Sequence, residues 1–288
     1  MEARANHAIM VVNCPDRQGI SARIANFIYQ NKGNIIDIDQ HVDKESLRYF
    51  MRVKWDLTGF SIPTKEIEKR FQREVADKFK MDWKVYLPYK KPRMAIFVSK
   101  YFHCLYDILT NSMERSWNVE IPLVISNHTD LVSVKKSFDV DFVHLPIDKT
   151  TKTSVEQSQL KILKDYKIDF IVLARYMQIL SPHFVQHFTN RIINIHHSFL
   201  PAFPGAKPYH SAHKRGVKII GATAHYVTST LDDGPIISQD VVRVSHTDSV
   251  EDLIRKGKSL EKVVLAEAVW KHINRKIMVY KNRTVVFN

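Results

Sequence analysis

Asn194, His196 and Asp232 are the residues of this 288-residue sequence whose types and spacing point most directly to chemistry. Asn194 and His196 stand two apart at the end of the apolar run "RIINIH", and on an extended chain such residues project from one face. His197 follows at once and is expected on the opposite face, ahead of the proline- and glycine-punctuated "SFLPAFPGAKPYH". A second apolar run, "IIGATAHYV", carries His225 and leads to the acidic turn Asp232-Asp233-Gly234. An amide, an imidazole and a carboxylate meeting at a strand end can polarise a carbonyl, steady an oxyanion and manage a proton. Taken alone, the same residues also fit a plainer role. A strand-end histidine can be satisfied by backbone, and aspartates before a glycine make ordinary turns.

Metal chemistry is the rival, because the chain holds 14 histidines. His183 and His187 are spaced i, i+4, and His210 and His213 are spaced i, i+3. The first pair reads "HFVQH" and lacks the glutamate of H-E-x-x-H, and no spacing selects a third ligand. The expectation is therefore no metal. Nucleotide cradles are disfavoured too: no glycine occurs between Gly59 and Gly205, where a phosphate loop would need close backbone approach.

The elements that must position these groups divide at "YKKPR". Before it, "HAIMVVNC", "ISARIANFIYQNKG", "NIIDIDQHVD", "SLRYFMRVKWDL", "TKEIEKRFQREVADKF" and "DWKVYLPY" alternate between strand and helix periods. The order is β-α-β-β-α-β, a ferredoxin-like unit, with "DKES" at the hairpin turn. After it, "RMAIFVS", "EIPLVIS", "DFVHLP" and "DFIVLA" are short continuous apolar runs separated by helical stretches such as "SVEQSQLKILKDY". That alternation predicts an α/β domain with a doubly wound, mostly parallel sheet, which binds ligands at its carboxyl edge. "VEDLIRKGKSLEKVVLAEAVWKHI" reads as one or two terminal helices, and "KIMVYKNRTVVF" as a hairpin without chemical signal. The expected organisation is residues 1–88, a linker at 89–93, and residues 94–288.

Composition narrows the setting. The charge of +13 is spread, with 17 Lys/Arg against 12 Asp/Glu in residues 1–92 and 26 against 18 thereafter. This argues for a generic basic surface or attraction of a small anion, not a nucleic-acid groove. No apolar run is long enough to span a membrane, and "MEARANHAIMVVNC" does not read as a secretory signal. Two cysteines, Cys14 and Cys104, make no disulfide framework, so a reducing cytoplasm is the expected location.

Two family resemblances add to this. The strand followed by "CPDRQGI" and a helix, in a unit of this order, resembles an ACT regulatory domain. That resemblance implies sheet-mediated homo-oligomers and an amino-acid effector such as glycine or methionine. The regulatory ligand would meet Asp16, Arg17, Gln18 and Gly19, with Asn34 at the start of the second strand. "IINIHHSFLPAFPG", followed by "GATAHYVTSTLDDGPII", resembles the folate-dependent formyltransferase family, whose signature is Asn-x-His and an aspartate in an "LDxGP" turn. The resemblance implies Asn194, His196 and Asp232 as the catalytic residues.

"VLARYMQIL" at 172–180 is similar to the family's folate-binding segment, placing Arg175, Met177, Gln178 and Leu180 beside the folate, with the loop from Val227 to Asp232. His225 and His197 would support His196 and that loop. Two departures, "SKYFHCL" in place of a glycine-rich phosphate loop and "NIHHS" in place of "NIHPS", resemble the hydrolytic branch of the family. What this implies is hydrolysis of 10-formyltetrahydrofolate to tetrahydrofolate and formate, with formate supplied to one-carbon and purine metabolism. Folate would be the substrate, with no prosthetic group and no nucleic-acid or membrane partner. Formyl transfer to a small amine, and amino-acid sensing by a dead core, remain the alternatives.

Overall fold

The computed structural model describes residues 6–88, 91–114, 117–201 and 208–288. Tyr89 and Lys90 of the expected linker lie outside the described residues, as do residues 202–207 of the proline- and glycine-rich loop. The chain forms two compact units. The first comprises Met1–Lys91 with Arg275–Met278 and Val285–Asn288, and the second Pro92–Asn274 with Val279–Thr284.

The first unit follows the expected β-α-β-β-α-β order. Strands β1 (His7–Pro15), β2 (Asn34–Asp43), β3 (Arg48–Asp56) and β4 (Asp82–Tyr86) form one antiparallel sheet in the order β2-β3-β1-β4. Helix α1 (Ile20–Gln30) buries Ile20, Ile24, Phe27 and Ile28, the stripe that its 3.6-residue period requires. The second helical stretch is interrupted: α2 (Ile67–Phe71) and α3 (Asp77–Phe79) are joined by a π turn, Gln72–Ala76. Ile67, Phe71 and Val75 still reach the core, where they join Trp55, Met10 and Phe27. The Asp43 carboxylate accepts from the backbone N–H groups of Glu45 and Ser46, which closes the β2–β3 turn.

The second unit is built on a seven-stranded sheet in the order β11-β10-β9-β8-β5-β6-β7. Its chain runs β5 (Arg93–Val98), α4 (His103–Asn111), β6 (Glu120–Ser126), α5 (Val134–Phe138), β7 (Asp141–His144), α6 (Lys152–Asp165) and β8 (Phe170–Leu173). It continues with α7 (Pro182–His187), β9 (Ile192–His196), α8 (Pro208–Arg215), β10 (Ile219–Tyr226), β11 (Ile236–Arg243) and α9 (Val250–Ile273). Strands β9, β8, β5, β6 and β7 are parallel neighbours, while β10 and β11 run antiparallel at one edge. Continuous burial of β5 and β8 explains their unbroken apolar runs. The expected "one or two" terminal helices are one 24-residue helix, started by a Ser249–Asp252 capping box. Strands β12 (Ile277–Tyr280) and β13 (Arg283–Val286) form the terminal hairpin, with Lys281 in left-handed backbone at its turn.

Candidate active site

The carboxyl ends of β5, β8 and β9 lie side by side, so the residues just beyond them gather at one edge of the sheet. Strand β9 delivers Asn194 and His196, and its antiparallel partner β10 places His225 directly opposite Asn194. The Asn194 amide lies 3.2 Å from His225 Nε2. His225 Nδ1 lies 3.0 Å from the Tyr226 carbonyl, which can only accept, so Nδ1 carries the proton and Nε2 accepts from Asn194. Burial holds the His225 pKa below its ordinary value, which keeps this ring neutral.

Asp232 completes the set from the turn after β10. Its Oδ2 lies 3.3 Å from His196 Nδ1, and its Oδ1 lies 3.8 Å from His225 Nε2. The hydrogen bond from His196 holds the Asp232 carboxyl below the usual carboxylate range, although partial burial opposes the shift. The turn is shaped by two constraints. Asp232 adopts left-handed backbone, which short polar side chains tolerate best after glycine. A Cβ at Gly234 would stand 1.7 Å from the Tyr226 carbonyl oxygen, so only glycine lets the turn press this close to β10. His196 is buried, and its Nε2 has no hydrogen-bond partner among the described residues. An imidazole oriented at one nitrogen and open at the other is equipped to act on a bound carbonyl.

His197 departs from its expected place. Strand β9 ends at His196, so alternation stops there, and the two rings lie 5.3 Å apart with a 38° tilt rather than on opposite faces. Burial first, then the Arg175 charge, pushes the His197 pKa down to about 4. The loop beyond is pinned by buried Thr223, which donates to the Ser198 carbonyl and accepts from the Leu200 N–H.

The 172–180 segment runs off the end of β8. Ser99 clamps it, donating its N–H to the Arg175 carbonyl and accepting from the Met177 N–H through Oγ. Met177 is exposed, Gln178 is half-buried with its N–H on the Tyr176 carbonyl, and Leu180 is buried in the core. Val227 bonds through its N–H to the Ile192 carbonyl, which fixes the start of the loop to Asp232.

Sequence reasoning missed a second cluster beside this one. Glu261 of α9, 1% exposed, accepts from Tyr209 Oη at 2.8 Å and from His103 Nε2 at 2.7 Å, and lies 3.6 Å from Arg175 Nε. Burial pushes its carboxyl up, but His103 and Arg175 outweigh that and hold it below the ordinary range. Glycine four residues earlier makes this possible: a Cβ at Gly257 would meet Tyr209 Oη at 2.1 Å. The signal available in the sequence was Gly257 and Glu261 on one helical face, i and i+4.

His103, Cys104 and Glu261 bring ligand atoms within 4.8 Å of one another. The donor set suits a metal poorly, because burial and then Glu261 raise the Cys104 thiol pKa and Arg175 already faces the carboxylate. His183 and His187 pack ring to ring on α7, exposed, and His210 and His213 are exposed on α8.

In the first unit, Asp16, Arg17, Gln18 and Gly19 form the exposed turn between β1 and α1. Asn34 is not brought to them. It pairs with Asp56, which pairs with His7 at the start of β1, whereas the turn follows Pro15 at the other end. Eight residues of strand separate the two ends, roughly 25 Å.

A family model described as formyl transferase matches residues 92–269. The chain is 55% identical over 280 residues to a formyltetrahydrofolate deformylase of Synechocystis, covering 97% of this chain and 98% of that one. It is 44% identical to the Bacillus subtilis protein of the same name, covering 97% and 93%. A crystal structure of a formyltetrahydrofolate deformylase from Pseudomonas syringae superimposes with a TM-score of 0.95 at 41% identity, covering 98% and 95%. A glycinamide ribonucleotide transformylase from Symbiobacterium toebii gives 0.65 at 31% identity, covering 70% of this chain and 97% of that one.

Proposed function

The chain belongs to the formyltetrahydrofolate deformylase family, and we propose that Asn194, His196 and Asp232 carry its reaction. That reaction is the hydrolysis of 10-formyltetrahydrofolate to tetrahydrofolate and formate. The observation that carries the assignment is the convergence of the three side chains, with His196 held at Nδ1 by Asp232 and open at Nε2.

In this reading His196 donates through Nε2 to the formyl oxygen as the tetrahedral oxyanion develops, and Asn194 supplies a second donor. His225 fixes the Asn194 amide by accepting one of its hydrogens. Asp232 keeps the His196 ring in register, orients the attacking water and relays a proton towards the folate nitrogen. The carbon–oxygen bond forms, the carbon–nitrogen bond breaks, and formate leaves. No prosthetic group, metal or covalent nucleophile is needed. The backbone of Arg175, the residues Met177, Gln178 and Leu180, and the loop from Val227 to Asp232 border the folate, with His197 and His225 behind His196 and that loop. Exposed Met177, Ile179 and Leu231 support a site for a flat aromatic ring at this edge.

The first unit is proposed to bind glycine or methionine at Asp16–Gly19 and Asn34 and to join copies of the chain. Support comes from the separation of those residues within one sheet: a site using both draws them from two copies. Calorimetry with glycine and methionine tests the effector, and a titration without heat from either removes it. The protein is placed in the cytoplasm, a setting that suits buried, unpaired Cys14 and Cys104, with formate passing to one-carbon and purine metabolism. The reaction is tested by formate release from 10-formyltetrahydrofolate with no amine added. Release at a catalytic rate supports a hydrolase, whereas turnover only with an added amine supports a transferase.

A further inference from the structure

The reaction written above gives no task to the Arg175 side chain or to Glu261, Tyr209 and His103, which gather at it beyond the end of β8. Arg175 is 9% exposed, sits in left-handed backbone, and leaves Nε and Nη1 without a hydrogen-bond partner among the described residues. Both oxygens of Glu261 are engaged by Tyr209 and His103, and the Tyr101 ring covers the guanidinium at 4.9 Å. Burying an arginine with open donors is costly, so such groups ordinarily meet a polar partner. His197 connects this cluster to the catalytic trio. Its ring centroid lies 5.3 Å from that of His196 and 6.0 Å from that of Tyr209.

We propose that the unpaired Nη1 group of Arg175, together with the His197 ring, holds the water that attacks the formyl carbon, with Glu261, which faces Nε, as the positioning residue behind Arg175. This rests on the deformylase reading of the site. Arginine has donors only, so the ligand must present an oxygen lone pair. Glu261 already balances the arginine charge, so a neutral molecule fits better than a carboxylate, which would leave excess negative charge buried. His197, kept neutral near pH 7, offers a ring nitrogen that accepts a hydrogen from the same molecule. The water oxygen bonds to the formyl carbon. Its proton passes to the Asp232–His196 pair and on to the folate nitrogen as the carbon–nitrogen bond breaks, giving formate and tetrahydrofolate.

The test separates two nucleophiles on the full-length enzyme. Hydroxylamine attacks the same formyl carbon without using a water site and gives formohydroxamate and tetrahydrofolate. For Arg175→Met, kcat for formate release is expected to fall about 10²-fold with little change in KM for the folate. Formohydroxamate formation is expected to stay near wild type. Glu261→Gln is expected to show the same selectivity with a smaller loss. Equal loss of both products in a folded Arg175→Met enzyme overturns the proposal, and so does undiminished formate release. Formate that inhibits the wild-type enzyme but not Arg175→Met, with hydrolysis intact in both, also overturns it, since that marks a carboxylate site. Where Arg175→Met does not fold, Arg175→Lys keeps the charge and displaces the donors. Selective loss of hydrolysis then supports the proposal, and proportionate loss of both products overturns it. A wild-type enzyme that makes formohydroxamate but releases no formate sinks the deformylase reading itself, a failure distinct from the others.

Discussion

The Asn194–His196–Asp232–His225 cluster and the Arg175–Glu261–His103–Tyr209 cluster belong to one sheet edge but are built differently. The first comes from two paired strands and a turn, and the Asp232 side chain keeps 23% exposure. The second comes from a strand end and three helices, α4, α8 and α9, and its carboxylate is 1% exposed. Groups that exchange protons with a ligand keep an unpaired atom, as His196 does at Nε2, which has no hydrogen-bond partner among the described residues. Glu261, by contrast, spends both oxygens on its neighbours, so its role is to fix them in place.

Substitutions should therefore separate the clusters, the first through rate and the second through both rate and stability. The largest effect is expected for His196→Ala, with kcat for formate release down by about 10³-fold or more and an unfolding midpoint close to wild type. Glu261→Ala comes next, because it leaves Arg175 buried without its counter-charge, and denaturant unfolding should show a loss of about 3–5 kcal/mol. Gly257→Ala should cost about 1–3 kcal/mol by the same measurement, since its Cβ drives Tyr209 off Glu261. A stability unchanged by Gly257→Ala would show that Tyr209 is not locked against α9.

The smallest effect is a pH dependence. His197 has a folded pKa of about 4 against an ordinary value near 6.5, so the unfolded chain takes up its proton first as pH falls. Stability from this ring is full above about pH 6.5 and is lost progressively down to about pH 4. His225, also depressed, adds in the same direction. Unfolding midpoints measured across that range should fall with acidity, less steeply in His197→Gln. Asp232, also depressed, acts lower: its contribution is full above its unfolded pKa of about 3.9 and is lost as pH falls through its folded value.

The two clusters were also unequally legible. Asn194 and His196 share a strand face by period alone, and the Asp232 turn is marked by its glycine, so the trio could be read along the chain. Strand runs and helix stripes gave both sheets in the same way. Glu261 could not be read so, because in "SLEKVV" it resembles any solvated helix glutamate. Its burial depends on Tyr209 and His103, 52 and 158 residues away. The side of His197 was misjudged because strand alternation was carried one residue past the strand's end. The π turn at Gln72–Ala76 left no trace either, since Phe71 and Val75 keep a helical spacing through it.

The most direct measurement of the central claim is formate release from 10-formyltetrahydrofolate, without added amine, by the wild-type chain and by Asp232→Asn. The Asp232→Asn change preserves shape and removes the charge that holds His196 Nδ1. The expected result is steady turnover by wild type and a fall of about 10²–10⁴-fold in the folded variant. Formate release by folded Asp232→Asn at the wild-type rate would contradict the account.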